Sequence, residues 1–148
     1  MTKALHHVPE GLTAVIPQFV VSDARAFVEF ATRAFDAEGA ELMPGPDGKG
    51  VMHGFFRIGG AALFVSDMPG FAEPTKSNVF VYVPDVDDCF SRAVAAGAKV
   101  RAPVADMFWG DRWGMLVDPW GNVWQVATRK ENVDPKEMQR RMQEQASG

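Results

Sequence analysis

The stretch FWGDRWGMLVDPWGNVWQVAT, residues 108–128, holds all four tryptophans of a 148-residue chain, together with Asp111, Arg112, Asp118, Asn122 and Gln125. Indoles stack on flat rings, and a guanidinium presents several donors in one plane to a carboxylate or a carbonyl. Carboxylates and amides can orient a ligand or contribute to a metal centre. The segment therefore admits three readings: the wall of a metal-dependent site, the lining of an aromatic pocket, or a well-packed hairpin. His53 is the one imidazole inside a patterned segment, because His6 and His7 lie on the loose start MTKALHHVPEG and would chelate a metal only incidentally. In mid-strand, His53 could act as a polar anchor or as a general base. It reads also as a half-buried histidine bonded to a neighbouring strand. Cys89 lies in a helical pattern with no thiolate-stabilising context and reads as core. The chain contains no nucleophile elbow, phosphate loop or zinc-spaced cluster.

Composition narrows the function classes. A length of 148 residues suits one domain with a sizeable core. The net charge of −4 argues against a nucleic-acid or anionic-membrane partner, which would call for a basic face. A single cysteine excludes an internal disulfide and fits a reducing compartment. No segment has signal-peptide character or approaches the roughly 18–20 apolar residues of a membrane span. The expectation is a cytoplasmic protein.

The elements that must position the candidates follow from periodicity. Residues 13–21, rich in β-branched side chains, read as a strand. Asp23 can cap a helix over 24–35 that places Phe27, Phe30, Ala31 and Ala34 on one face. Strands are read at 38–43, 51–58 and 61–66, with turn chemistry at 44–50 and Gly59-Gly60. After a linker at 69–76 come a strand at 78–83, a helix over 86–97 capped by Asp85, and strands at 99–103, 115–118 and 123–128. Asp118, Pro119 and Gly121 carry turn preferences in the last hairpin. A terminal helix over 134–145 begins with an Asp-x-x-Glu capping box, with Met138 and Met142 one turn apart. The order strand–helix–strand–strand–strand occurs twice. VVSDA (20–24) corresponds to YVPDV (82–86) at an offset of 62, and RIGGAALFVS (57–66) to DPWGNVWQVA (118–127) at an offset of 61.

With MHGFFRIGG (52–60) and FWGDRWGMLVDPWG (108–121), the repeated chain resembles the vicinal oxygen chelate superfamily. That group contains glyoxalase I, fosfomycin and bleomycin resistance proteins and extradiol dioxygenases; the closer likeness is to the bacterial glyoxalase-like proteins. The resemblance covers roughly residues 12–130. It implies an α+β fold of two tandem βαβββ modules forming a curved mixed sheet with a concave pocket, plus a C-terminal helix. The chain is then a single domain, 1–148, with module one at about 12–67 and module two at about 77–130. In the superfamily's metalloenzymes, ligands on the first and last strand of each module hold a divalent cation. Those positions fall here on Ile16, Phe64, Asn78 and Gln125, so the usual metal site is not expected and no cofactor is assigned.

The groove implied by the resemblance would be lined by Gln18, His53, Phe55, Phe64, Asn78, Phe80, Tyr82, Trp113 and Gln125, with Trp109 and Arg112 in a rim loop. Strand alternation turns Trp124 toward the helix layer, and Trp120 sits at a turn tip. Arg112 either meets an anionic or carbonyl group of the ligand, or else Asp111 and Arg112 form a local ion pair or cap backbone groups where the strand bends at Gly110 and Gly114. Such a lining, apolar with a few orienting polar groups, suits a flat or aromatic small molecule. The leading expectation is metal-independent binding of the bleomycin-resistance type by a homodimer, with the terminal helix available to the interface. The alternative is an enzyme, a glyoxalase-like lyase, isomerase or dioxygenase. It would use non-standard metal ligands, or else work metal-free with His53 as base and Arg112 stabilising an oxyanion. A protein that forms complexes through its sheet edge or helix, with a vestigial pocket, is the third possibility.

Overall fold

A computed structural model of the chain describes residues 1–68 and 73–148. Of the linker read at 69–76, residues 69–72 lie outside the described residues. The chain forms two compact units, 1–32 with 36–75, and 33–35 with 76–148. Backbone hydrogen bonds divide the strands into two four-stranded mixed sheets, one in each unit.

In the first unit the elements are β1 (Gln18–Val20), α1 (Ala24–Phe35), β2 (Glu38–Pro44), β3 (Val51–Ile58) and β4 (Ala61–Ser66), in sheet order β1-β4-β3-β2. The last turn of α1, Arg33–Phe35, groups with the second unit. β1 is shorter than the strand expected at 13–21. Pro17 has no N–H to give to a ladder, and regular pairing begins only at Gln18, opposite Phe64. Asp23 caps α1 as expected, accepting from Ala26 N at 3.0 Å. The helix covers one sheet face with Phe27, whose ring lies 4.9 Å from Phe19 and 6.1 Å from Phe56, centroid to centroid. Gly54 lets this layer close: a Cβ there would come within 2.6 Å of Val65 Cγ1 and 2.7 Å of Leu42 Cδ2.

The second unit repeats the plan with β5 (Asn78–Tyr82), α2 (Val86–Ala95), β6 (Lys99–Asp106), β7 (Asp111–Val117) and β8 (Val123–Arg129), in order β5-β8-β7-β6. Gln18 pairs with Phe64 in the first sheet and Phe80 with Gln125 in the second. The backbone thus reproduces the offsets of 62 and 61 read from the sequence. β7 begins at Asp111, four residues earlier than expected. A turn closes ahead of it, with Gly110 N donating to Met107 O at 3.1 Å and Met107 N to Asp111 O at 2.8 Å. Asp111, Arg112 and Trp113 are therefore strand residues, and alternation sends Arg112 to the face opposite its two neighbours.

The core of this unit holds Leu116, Trp124, Val126, Val86 and Cys89. Trp124 packs on Phe35 at 4.5 Å between centroids, and Cys89 donates through its thiol to Ala34 O. The hairpin turn is built on Asp118, 4% exposed. Its Oδ1 accepts from Trp120 N and Asn122 N, both at 2.9 Å. Its Oδ2 accepts from Trp124 Nε1 at 2.9 Å and Asn122 Nδ2 at 3.0 Å. One carboxylate thus ties the turn to the largest core side chain. Helix α3 (Pro135–Ser147) follows, capped by Asp134, with no buried residue. Hydrogen bonds from Arg140 and then Arg141 hold the Glu137 carboxyl down at about 2.

Two outcomes are expected. Asp118→Ala strands the Trp124 and Asn122 donors in the interior and lowers stability by about 3 kcal/mol in urea denaturation. Asp118→Asn costs a comparable amount, because an amide presents one acceptor oxygen where the turn uses two. For Glu137, the folded value lies below the ordinary 4.5. Its contribution is therefore present above that value and is lost as pH falls toward about 2. The protection factors of the α3 amides, exchange rates taken relative to the intrinsic rate at each pH, should hold at pH 4 and fall on approach to pH 2. In Glu137→Gln this step should be absent.

Candidate binding site

The helices cover one face of each sheet, and the other faces carry the candidates. In the first unit, register sets Gln18, Phe64, Phe55 and Glu41 side by side across all four strands, with Met43 opposite His53 one step along. The His53 ring meets Phe64 edge-on at 4.5 Å, and Phe55 lies 6.3 Å from Phe64. These rings are half-buried. They line a hollow of about 570 Å³ with Leu42 and Met43 from β2 and with Pro9 and Leu12 from the segment before β1. Its polar side chains are His53 and Glu41, and among the described residues neither has a hydrogen-bond partner in the protein. Arg57, on the same strand face as His53 and Phe55, sets its guanidinium 5.1 Å from the centre of the Phe55 ring.

In the second unit the corresponding face carries Asn78, Phe80 and Tyr82 from β5, Gln125 from β8, and Asp111, Trp113 and Met115 from β7. Phe80 and Tyr82 are 42% and 54% exposed, their rings 5.1 Å apart. A hydrogen-bonded chain crosses the sheet: Trp113 Nε1 donates to Gln125 Oε1 at 3.2 Å, and Gln125 Nε2 donates to Asn78 Oδ1 at 3.1 Å. Beside it, Asp111 is buried at 1% exposure. Its Oδ2 accepts from Tyr82 OH and from Trp109 Nε1, both at 2.9 Å. Its Oδ1 lies 3.0 Å from Arg129 Nε, a charge contact without hydrogen-bond alignment. Trp109 in turn stands edge-on to Trp113 at 5.9 Å. A smaller hollow, about 280 Å³, opens beside Asp111 among Asp106, Glu131 and Lys130. Its carboxylates and ammonium offer a flat ring little to stack on.

Arg112 stands apart from this group. Its guanidinium takes Asp87 of α2 by two bonds, Nε at 2.7 Å and NH2 at 3.0 Å, and Asp106 through NH1 at 3.2 Å. Those bonds hold the Asp87 carboxyl below its usual range. The expected rim-loop role and the expected pairing with Asp111 both give way to strand alternation: Asp111 meets Arg129, and Arg112 meets α2. Glu41, Met43, Pro9 and Leu12 were not among the sequence candidates. Pro44 pairs with Val51, so a regular ladder would set Met43 opposite Met52; the register shift between Met43 and Pro44 sets it opposite His53 instead, and the sequence does not mark that shift. Nothing in the sequence links residues 9–12 to β3.

The residues at the superfamily's metal positions do not fit a divalent cation. Phe64 and Ile16 offer only hydrocarbon. The amide oxygens of Asn78 and Gln125 are already acceptors in the chain from Trp113. No group of three or more His, Cys, Asp or Glu that could hold a metal occurs among the described residues.

A family model described as the Glyoxalase/Bleomycin resistance protein/Dioxygenase superfamily matches residues 5–126. The chain belongs to this superfamily. Among curated relatives, Rv0887c of Mycobacterium tuberculosis H37Rv is 35% identical over 146 residues, covering 91% of this chain and 85% of the relative. Mb0911c of Mycobacterium bovis is also 35% identical and is covered to 95%. Among solved structures, TioX from Micromonospora sp. ML1 is similar at 26% identity and a TM-score of 0.64, over 79% of this chain and 98% of TioX. A PhnB protein from Bacillus cereus aligns at a TM-score of 0.65 and 18% identity, over 78% of this chain and 99% of the other. At that identity it speaks for the superfamily fold alone. No helix among the described residues is long and apolar enough to cross a membrane.

The Asp111 contacts give a double-variant test. Tyr82→Phe should cost about 1 kcal/mol in an otherwise unaltered protein. In an Asp111→Ala background, itself about 3 kcal/mol less stable, that cost should vanish, a coupling of about 1 kcal/mol. Additive losses in chemical denaturation would show that the two groups are not energetically linked.

Proposed function

We propose that this superfamily member is a metal-independent small-molecule binding protein that takes up a flat or aromatic compound. One observation carries the reading. The open face of the first sheet bears a hollow of about 570 Å³, lined by the side chains of Phe55, Phe64 and Met43, with two polar side chains, His53 and Glu41, that have no hydrogen-bond partner among the described residues. The volume lies in the range of small-ligand sites, and so does the mixture of apolar wall and few polar groups. Phe55 and Phe64 supply ring faces and edges for stacking, and His53 can donate or accept one orienting hydrogen bond. On the second unit, Phe80, Tyr82 and Trp113, with Asn78 and Gln125, offer a surface of the same chemical kind. The proposal keeps the protein cytoplasmic and homodimeric, with α3 as a contact surface.

The enzyme alternative asks Arg112 to stabilise an oxyanion. That guanidinium is committed to Asp87 and Asp106 on the α2 side of β7. Binding is therefore the reading that uses the side chains where they stand.

Calorimetric titration with flat aromatic compounds, beginning with 2-naphthol, tests the proposal. Phe55→Ala and Phe64→Ala should each weaken binding roughly tenfold or more, about 1.4 kcal/mol. His53→Ala should weaken it less, and a chelator should leave it unchanged. Failure of every flat compound to bind, or a requirement for an added divalent ion, would remove the reading.

A further inference from the structure

The first unit's hollow has a wall that belongs to no sheet or helix. Pro9 and Leu12 both line it, and the residue pair is shaped by a turn in which Leu12 N donates to Pro9 O at 3.2 Å. Gly11, inside that turn, has φ +78, a conformation that strains any residue with a Cβ. Among the described residues, one hydrogen bond ties the turn to the sheet. Arg57 NH2 donates to Gly11 O at 3.0 Å, across 46 residues of sequence, while NH1 donates to Gly60 O at 3.1 Å. The same guanidinium sits over the Phe55 ring, itself part of the lining. One arginine therefore touches the hairpin end, the ring that lines the hollow and the turn that completes it.

We infer that residues 9–12 are the specificity-determining wall of the hollow, and that Arg57 is the positioning residue that sets its width. The inference rests on the reading of the hollow as a binding site and refines its ligand class. A turn held at a fixed place against an aromatic face leaves room for the thickness of a planar ring system and turns away globular molecules of equal size. Guanidinium donors suit the task. The two carbonyls are taken by separate arms of one rigid plane, so the turn and the hairpin end are fixed relative to one another. A lysine's three donors share one nitrogen, so it cannot span two carbonyls at the fixed separation of the guanidinium arms.

The test compares 2-naphthol with 1-adamantanol, a flat and a globular alcohol of equal carbon number, by calorimetry on the full chain and on Arg57→Ala, Arg57→Lys and Leu12→Ala. The unaltered protein should prefer 2-naphthol by roughly tenfold or more. Arg57→Ala and Leu12→Ala should bring that ratio below about threefold, with Arg57→Lys between. Hydrogen exchange at the Leu12 amide should accelerate in Arg57→Ala without any ligand. Should Arg57→Ala fail to fold, Leu12→Ala carries the comparison. A ratio unchanged in both variants, with 2-naphthol binding still weakened in Phe55→Ala, would overturn the wall's role and leave the binding function standing. Absence of binding by any flat aromatic would overturn the function reading, and this inference with it.

Discussion

Parallel pairing of the first and last strand of each unit, β1 with β4 and β5 with β8, is the constraint from which the other arrangements follow. Two parallel strands cannot be joined by a tight turn, so the chain must leave the sheet and return. Here it does so through a helix and two antiparallel strands. The helix seals one face and leaves the other bare. Since side chains alternate, each residue's face is decided as soon as the register is set. Phe19, Phe56 and Val65 go under α1, while Phe55 and Phe64 stay open. Leu116, Trp124 and Val126 go to the core, while Phe80, Met115 and Gln125 stay open.

Within the second unit, two buried aspartates at opposite ends of β7 organise the aromatic residues. Asp118 holds Trp124 in the core through the turn, and Asp111 holds Tyr82 and Trp109 at the open side. Buried carboxylates persist only when their oxygens are met by donors or by a cation, and these are. The superfamily's metal positions in this unit, Asn78 and Gln125, bond to one another within the protein. The two amides close a neutral hydrogen-bonded chain with Trp113 across the sheet.

The sequence carried the repeat, the three helix caps and the faces of β3 and β8, because each depends on local periodicity or on one capping side chain. Asp23, Asp85 and Asp134 accept from the backbone as their spacing implied. It carried less where glycine changes the meaning of a segment. Gly110 and Gly114 made residues 108–114 look like a loop, whereas Gly110 ends the turn and Gly114 sits in the strand because Phe90 needs the space above it. Extending β7 to Asp111 would have separated Arg112 from Asp111 at once. Pairings made across long sequence separations without a repeating pattern, such as Arg57 with Gly11, leave no local trace at all.

The Asp118 turn has a kinetic side. Its hydrogen bonds join residues no more than six apart, and they include the indole that anchors the second unit's core. Closing so short a loop costs little chain entropy, while the indole it fixes in place is one of the largest apolar groups in the protein. The β7–β8 hairpin is thus where native structure can first hold at small entropic cost. β5, whose partner β8 lies about 45 residues away, must wait for that hairpin to offer it an edge. On loop-closure grounds, assembly in this unit is expected to run backward along the chain, from its last hairpin to its first strand.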